Sequence, residues 1–369
     1  MKDGLFDNVI KYRGSLERFK AALNTDKAVI GFIGGSITEA VQESNWWEFI
    51  RGWFVKKYPG IKLFIENAAV GGTGSLSGVM RARSDIIEKN CDLVFIEYAV
   101  NDYCVDREER MRSREGLIRQ LIEEKRDIIL VYTYCQQMYN AMKKGDIPDS
   151  VADFEILADK YNISSVWSGL YAYNAVKEGR LSWEGWLPIS GGGLHPEYLG
   201  SKYYAEPVIE CLEKSLIKDG AQIPYGKDMP EPYNINHYQN IKAVDFAEIK
   251  LTGPWCVMNE VFIPWYKRVL YSSADGAGIS FDFSGTAIMG MFSFGKRSAL
   301  IKFRIDNGEW NELTGNRDWW VPDKNWCTPQ LFASNLENKK HLFEMTIEHG
   351  DRPEFKGTEC KIFSFMYVK

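Results

Sequence analysis

The stretch KAVIGFIGGS, Lys27 to Ser36, decides the reading of the fold. From Ala28 to Ile33 every position is apolar or glycine, so neither face of a pleated strand would tolerate water. Strands of that kind belong to parallel sheets covered on both sides. The same grammar recurs in KLFIENAAV (62–70), DLVFIEYAV (92–100), DIILVYTY (127–134) and, more weakly, SSVW (164–167). Between these runs lie helical patterns: NWWEFIRGWFVKKYPG (45–60), stopped by Pro59-Gly60, then SGVMRARSDIIEKN (77–90), REERMRSREGLIRQLIEEK (107–125) and SVADFEILADKYN (150–162). A last helix, PEYLGSKYYAEPVIECLEKSLIK (196–218), carries Pro207, where a kink is expected. Strand alternating with helix from about residue 26 to 215 predicts a three-layer α/β/α domain on a parallel sheet.

Beyond residue 220 the pattern changes. GAQIPYGKDMPEPYNINHYQN (220–240) is rich in Pro, Gly, Asn and Tyr and reads as a linker. After it come β-type runs separated by turn residues: GISFDFSG (278–285), TAIMGMFSF (286–294), ALIKFRID (299–306), HLFEMTIEHG (341–350) and CKIFSFMYVK (360–369). DNGEW (306–310) is a hairpin signal. The expectation is an α/β domain over residues 1–220, a linker over 221–239 and an all-β sandwich of jelly-roll type over 240–369.

Composition sets outer limits. With 369 residues, two domains are expected; 45% apolar and 26% charged residues indicate a globular chain without a membrane span. A formal net charge of -5 argues against a nucleic-acid partner. The start, MKDGLFDNVIKYRGSLERF, lacks the apolar core of a signal peptide, which points to the cytoplasm. Seven scattered cysteines without a C-x-x-C pair favour free, mostly buried thiols over disulfides or a zinc site. A monomer and a homo-oligomer are both compatible with this composition.

In an open parallel sheet, ligands bind beyond the carboxyl ends of the strands. The first strand ends in GFIGGSIT (31–38), which places Ser36 after a glycine pair; the stretch matches neither G-x-S-x-G nor a phosphate or dinucleotide loop, and a serine-capped turn would read the same way. The second ends in NAAVGGTGS (67–75), where the Gly72 N–H is the natural donor to an oxyanion. The third ends in EYAVND (97–102), with Asn101 and Asp102 at the same edge, although Asn-Asp also simply terminates strands. ISGGGLHPEYLG (189–200) sets His195, the only histidine before residue 237, at the start of the last helix. A neutral imidazole within reach of a serine hydroxyl is the minimum that makes that serine a nucleophile.

In order, GGSIT, the glycine of NAAVGG, VND and LHP resemble the four blocks of the SGNH (GDSL-like) hydrolase family, over roughly residues 26 to 215. The resemblance implies a flavodoxin-like α/β domain, Ser36 as nucleophile and His195 as general base. It also implies an oxyanion hole made by the Ser36 N–H, the Gly72 N–H and the Asn101 side chain, with no metal and no cofactor. Two positions depart from the pattern. Gly35 stands where the family usually has Asp before the serine, and Gly192 stands where the D-x-x-H acid belongs. Three readings follow for Gly192: a backbone carbonyl from residues 184–193 orients the imidazole in a Ser-His dyad, which we favour; Glu184 or Glu197 reaches in; or hydrolysis is largely lost.

The domain order, hydrolase then β-sandwich, resembles the mannan-acting carbohydrate acetylesterases with a carbohydrate-binding type of jelly roll. That implies an acetylated oligosaccharide as partner, with mannooligosaccharides ahead of xylooligosaccharides. NRDWWVPDKNW (316–326) adds Trp319, Trp320 and Trp326 as sugar-stacking candidates, with packing between the domains as the alternative for some of them. Trp46 or Trp47 is expected in the core, and Trp183 and Trp186 as a pocket wall beside the histidine loop. A lipase or thioesterase, and a glycan-binding protein with a vestigial hydrolase domain, are the rival functions.

Overall fold

In the computed structural model, which describes residues 4–39, 45–217, 223–259, 265–313, 326–349 and 357–369, the chain divides into two units, 1–239 and 240–369. In the first, six strands, Ile10–Lys11 (β1), Lys27–Gly34 (β2), Lys62–Asn67 (β3), Leu93–Glu97 (β4), Asp127–Val131 (β5) and Ser164–Val166 (β6), form one sheet in the order β1-β6-β5-β4-β2-β3. All neighbours are parallel except β1, which runs antiparallel to β6. The purely parallel expectation therefore holds for five strands, with a two-residue antiparallel edge added. β4 and β5 are buried at every residue, and β2 is buried after Lys27, as strands covered on both faces must be. Each such Ile or Phe contributes about 1.5–3 kcal/mol through burial.

The helices are Glu17–Leu23 (α1), Ser36–Glu39 (α2), Trp46–Lys57 (α3), Ser75–Ala82 (α4), Arg107–Glu123 (α5), Tyr139–Lys144 (α6), Asp149–Lys160 (α7), Ser168–Lys177 (α8), Trp183–Trp186 (α9) and Tyr198–Ile217 (α10). The side chains of Asn45 and Asp106 cap α3 and α5 by accepting from the first free N–H groups. Pro207 lies inside α10, which continues through it. No helix among the described residues is long and apolar enough to cross a membrane.

Residues 223–239, read above as a linker, are fastened to the first unit. The Tyr225 hydroxyl donates to Asp127, the Tyr233 and Asn234 N–H groups donate to Glu115 at 2.5 and 2.7 Å, and the Tyr238 hydroxyl donates to Glu109 at 2.8 Å. The bonds satisfy the buried carboxylates of Asp127 and Glu115 and the half-buried one of Glu109.

In the second unit every pairing between the described strands is antiparallel. Its strands are Ile241–Ala243 (β7), Lys250–Thr252 (β8), Cys256–Asn259 (β9), Arg268–Ser272 (β10), Gly278–Gly285 (β11), Ala287–Phe294 (β12), Leu300–Ile305 (β13), Asn311–Leu313 (β14), Trp326–Ala333 (β15), Lys339–Glu348 (β16) and Cys360–Val368 (β17). They form two sheets, β15-β12-β17-β10-β9 with β7 on β17, and β14-β13-β16-β11-β8. From His341 onward, β16 alternates buried and half-buried residues, the period-2 pattern of a strand with one face in the core. Phe281 and Phe343 of one sheet meet Phe365 of the other at 5.1 and 5.4 Å, closing the sandwich. Asp306 and Asn307 both have positive φ, as the tight β13–β14 hairpin at DNGEW requires.

Candidate active site

The sheet places the carboxyl ends of β2, β3 and β4 side by side, and the residues singled out from the sequence follow those ends. Ser36 opens α2 directly after β2 and Gly35. Its Oγ lies 2.7 Å from His195 Nε2, across 159 residues of sequence. The other ring nitrogen, Nδ1, lies 3.2 Å from the Gly191 carbonyl oxygen. A carbonyl can only accept, so Nδ1 carries the proton in the neutral ring. Nε2 then presents its lone pair and accepts from the serine hydroxyl.

The histidine loop is built for this placement. The His195 N–H also donates to the Gly191 carbonyl at 3.0 Å, closing a turn through Gly192, whose φ is 68°. Gly192 takes the left-handed conformation at no steric cost, and the turn it makes brings the Gly191 carbonyl to the imidazole. Glu184 accepts from the Ile189 N–H at 3.4 Å, and Glu197 accepts from the Ser190 hydroxyl at 2.6 Å. Both carboxylates brace the loop, and the imidazole is oriented by a backbone carbonyl.

Asn101, just past β4, packs directly on Gly35: a Cβ built on Gly35 would lie 1.8 Å from Asn101 Oδ1 and 2.9 Å from Nδ2. The glycine at 35 is thus what lets the Asn101 amide stand against the Ser36 turn. The loop after β3 is tied to the same place. The Val70 N–H donates to the Gly34 carbonyl at 3.0 Å, and the Gly71 N–H donates to Glu39 of α2, setting the exposed Gly72 at the loop tip. Burial pushes the Glu39 carboxyl up to about 6 despite that hydrogen bond.

Beneath these loops lie Asp102, which the sequence placed at this edge without a role, and Glu97, which sequence reasoning missed. Asp102 accepts from the Ser75 N–H at 2.8 Å and pairs with the fully buried Arg114 at 2.8 Å; Arg114 also donates to the Ser150 carbonyl and hydroxyl, each at 2.7 Å. Asp102 therefore anchors the start of α4 to the end of β4. Glu97, at the last position of β4, is fully buried and accepts from the hydroxyls of Thr38 and Thr133 at 3.0 and 2.8 Å and from the Gly35 N–H. The only trace of it in the sequence is one acid inside an apolar run.

Among the tryptophans, Trp46 is in the core, edge-on to Phe32 at 5.5 Å, with its indole N–H donating to Thr38 Oγ1 at 3.2 Å. Trp186 is buried and stacks at 5.2 Å on Trp183, which is 42% exposed. Trp326 opens β15 with its ring 6.0 Å from Trp265. Trp319 and Trp320 lie outside the described residues. No cluster of three or more metal-ligating side chains is found among the described residues.

No protein-family model matches the sequence, and no curated protein sequence matches it significantly. Solved structures do match. A two-domain esterase active on acetylated mannans aligns over 99% of this chain and 98% of its own at a TM-score of 0.83 and 23% identity. Its co-crystal with mannopentaose aligns with the same coverage and identity at 0.82. An acetylxylan esterase from Geobacillus stearothermophilus aligns over 53% of this chain and 96% of its own, at a TM-score of 0.41 and 17% identity. The described residues of each unit share the fold of the first of these.

Proposed function

We propose that this chain is a serine esterase of the SGNH type that removes O-acetyl groups from oligosaccharides, acetylated mannooligosaccharides foremost. The observation that carries the reading is the Ser36–His195 hydrogen bond of 2.7 Å, with the imidazole tautomer set by the Gly191 carbonyl. The mannan-active esterase that shares the fold supports the choice of substrate class.

His195 Nε2 takes the proton of the Ser36 hydroxyl as Oγ attacks the acetyl carbon. The negative charge that develops on the carbonyl oxygen is received by the Ser36 N–H, the Gly72 N–H and the Asn101 amide. As the tetrahedral intermediate collapses, His195 returns the proton to the departing sugar oxygen, leaving acetyl on Ser36. Water, deprotonated by His195, then releases acetate by the same route. Loss of the orienting acid costs about four orders of magnitude in triad enzymes largely because the wrong tautomer forms. A carbonyl at Nδ1 retains the tautomer and forgoes only the charge that would stabilise imidazolium. A sugar alcohol is a better leaving group than an amine, so the weaker support suffices. Trp319, Trp320 and Trp326 are assigned to stacking on sugar rings.

The test is acetate release from acetylated manno- and xylooligosaccharides by wild type, Ser36→Ala and His195→Ala. Release by wild type alone is the expected result. Gly192 favours one second reading, a glycan-binding protein with a vestigial hydrolase domain; saturable glycan binding without turnover would establish that reading instead.

A further inference from the structure

The mechanism above needs Ser36 held to within a fraction of an ångström of His195, and the serine stands at the very start of α2. That first turn takes its position from what lies beneath it. There, at the end of β4, the structure puts a carboxyl group. Thr38, on α2 two residues after Ser36, donates to one Glu97 oxygen; Thr133, just past β5, donates to the other; and the Gly35 N–H donates to the same carboxyl. Thr38, Glu97 and Thr133 are all fully buried. Two further contacts lock the unit: Trp46 donates to Thr38 Oγ1 at 3.2 Å, and a Cβ on Gly34 would come within 2.6 Å of the Glu97 carbonyl oxygen. No water competes for these bonds, and leaving any of the donors unpaired would carry a full desolvation penalty.

We propose that Glu97 is the positioning residue of the nucleophile turn: by joining the Gly35 N–H and the Thr38 hydroxyl to the Thr133 hydroxyl, it sets the Ser36 Oγ in register with His195 Nε2. The proposal rests on the esterase reading for its kinetic consequence, though not for its geometry. Glu97 touches neither substrate nor reacting atoms. What it requires is an acceptor toward α2 and a hydrogen-bonding atom toward Thr133. A glutamine meets both needs, with its carbonyl accepting from Thr38 and its amide donating to the Thr133 oxygen. A leucine meets neither.

The experiment compares wild type, Glu97→Leu, Glu97→Gln and Thr133→Val on a small acetyl ester, with Thr38→Val as the milder probe should Glu97→Leu not fold. Glu97→Leu is expected to lower kcat by about 10–100-fold with KM unchanged, the effect of a misplacement on the order of an ångström. Glu97→Gln is expected to restore kcat to within about threefold of wild type, and the two threonine variants to lower kcat alone. Full kcat in Glu97→Leu or in both threonine variants would overturn the proposal, as would a Glu97→Gln enzyme as slow as Glu97→Leu. A second readout is independent of turnover: the 15N signal of His195 Nε2, assigned with His195→Ala, is expected to shift in Glu97→Leu and not in Glu97→Gln. Absence of turnover in wild type would sink the esterase reading and leave this signal to judge Glu97; an unmoved signal in Glu97→Leu would sink the positioning role alone.

Discussion

Adding a single methyl group at Gly35 would displace the amide assigned to the oxyanion without unfolding the protein. In Gly35→Ala the new Cβ would stand 1.8 Å from Asn101 Oδ1, where real Cβ contacts essentially never fall under 3.0 Å. The Asn101 carboxamide therefore moves by on the order of an ångström, a displacement that costs about a hundredfold when it removes a group from its reacting position. Loss of one oxyanion donor corresponds to about 10²–10³ in kcat, or about 2.7–4 kcal/mol. Stability should change far less, because the nearest atoms belong to the end of one rotatable, half-buried side chain. The assay is kcat and KM on a chromogenic acetyl ester together with thermal unfolding, for wild type, Gly35→Ala, Asn101→Ala and the double variant. If Gly35 acts only by making room for Asn101, the double variant is no slower than Asn101→Ala. A Gly35→Ala enzyme within about threefold of wild type, or losses that simply multiply in the double variant, would refute the reasoning.

Other consequences follow from the buried charges and thiols. Burial raises the Glu97 carboxyl to about 7, against the pull of its Thr133, Thr38 and Gly35 hydrogen bonds. The folded state thus keeps a proton that the unfolded chain gives up, so this group's contribution to stability is full at low pH and is lost as pH rises from about 4.5 to about 7. Urea unfolding across that window should show a shallower loss in Glu97→Gln than in wild type. Asp102→Ala leaves Arg114 charged and unpaired in the core, and about 3–5 kcal/mol of unfolding free energy should disappear in a denaturant titration. Of the seven cysteines only Cys104 and Cys256 are exposed, so a thiol reagent should modify two sites in the folded protein and seven in denaturant.

How much of this was legible in the sequence depended on how local the signal is. β2, β4 and β5 could be read because a strand covered on both faces must be apolar throughout, and no other element of that length need be. β1 could not, since two residues hold no periodicity. Helix α8, SGLYAYNAVK, went unread because its apolar positions are crowded with tyrosines and small residues. β15 carries Pro329, which argues against a strand, and the sandwich tolerates it there because β15 is the edge of its sheet. Ser36, Gly72, Asn101 and His195 stood out as candidates because they lie at strand ends or beside glycine-rich loops, and their roles came only with the resemblance of four short blocks to the SGNH pattern.

The chain's residues by themselves determined the layer order and the strand ends, which follow from hydrophobic pattern and turn chemistry within a few residues, and the resemblance of four short blocks added the candidate nucleophile and base. Only the tertiary structure decided what orients the imidazole, why glycine stands at 35 and what lies under the serine turn. Those answers depend on Gly191 taking the place of an acid, on Asn101 packing against Gly35, and on Glu97 meeting Thr38 and Thr133 across 59 and 36 residues of chain. Hydrogen bonds between residues so far apart leave no periodicity to read, because the partners meet only once the sheet has brought its strand ends together.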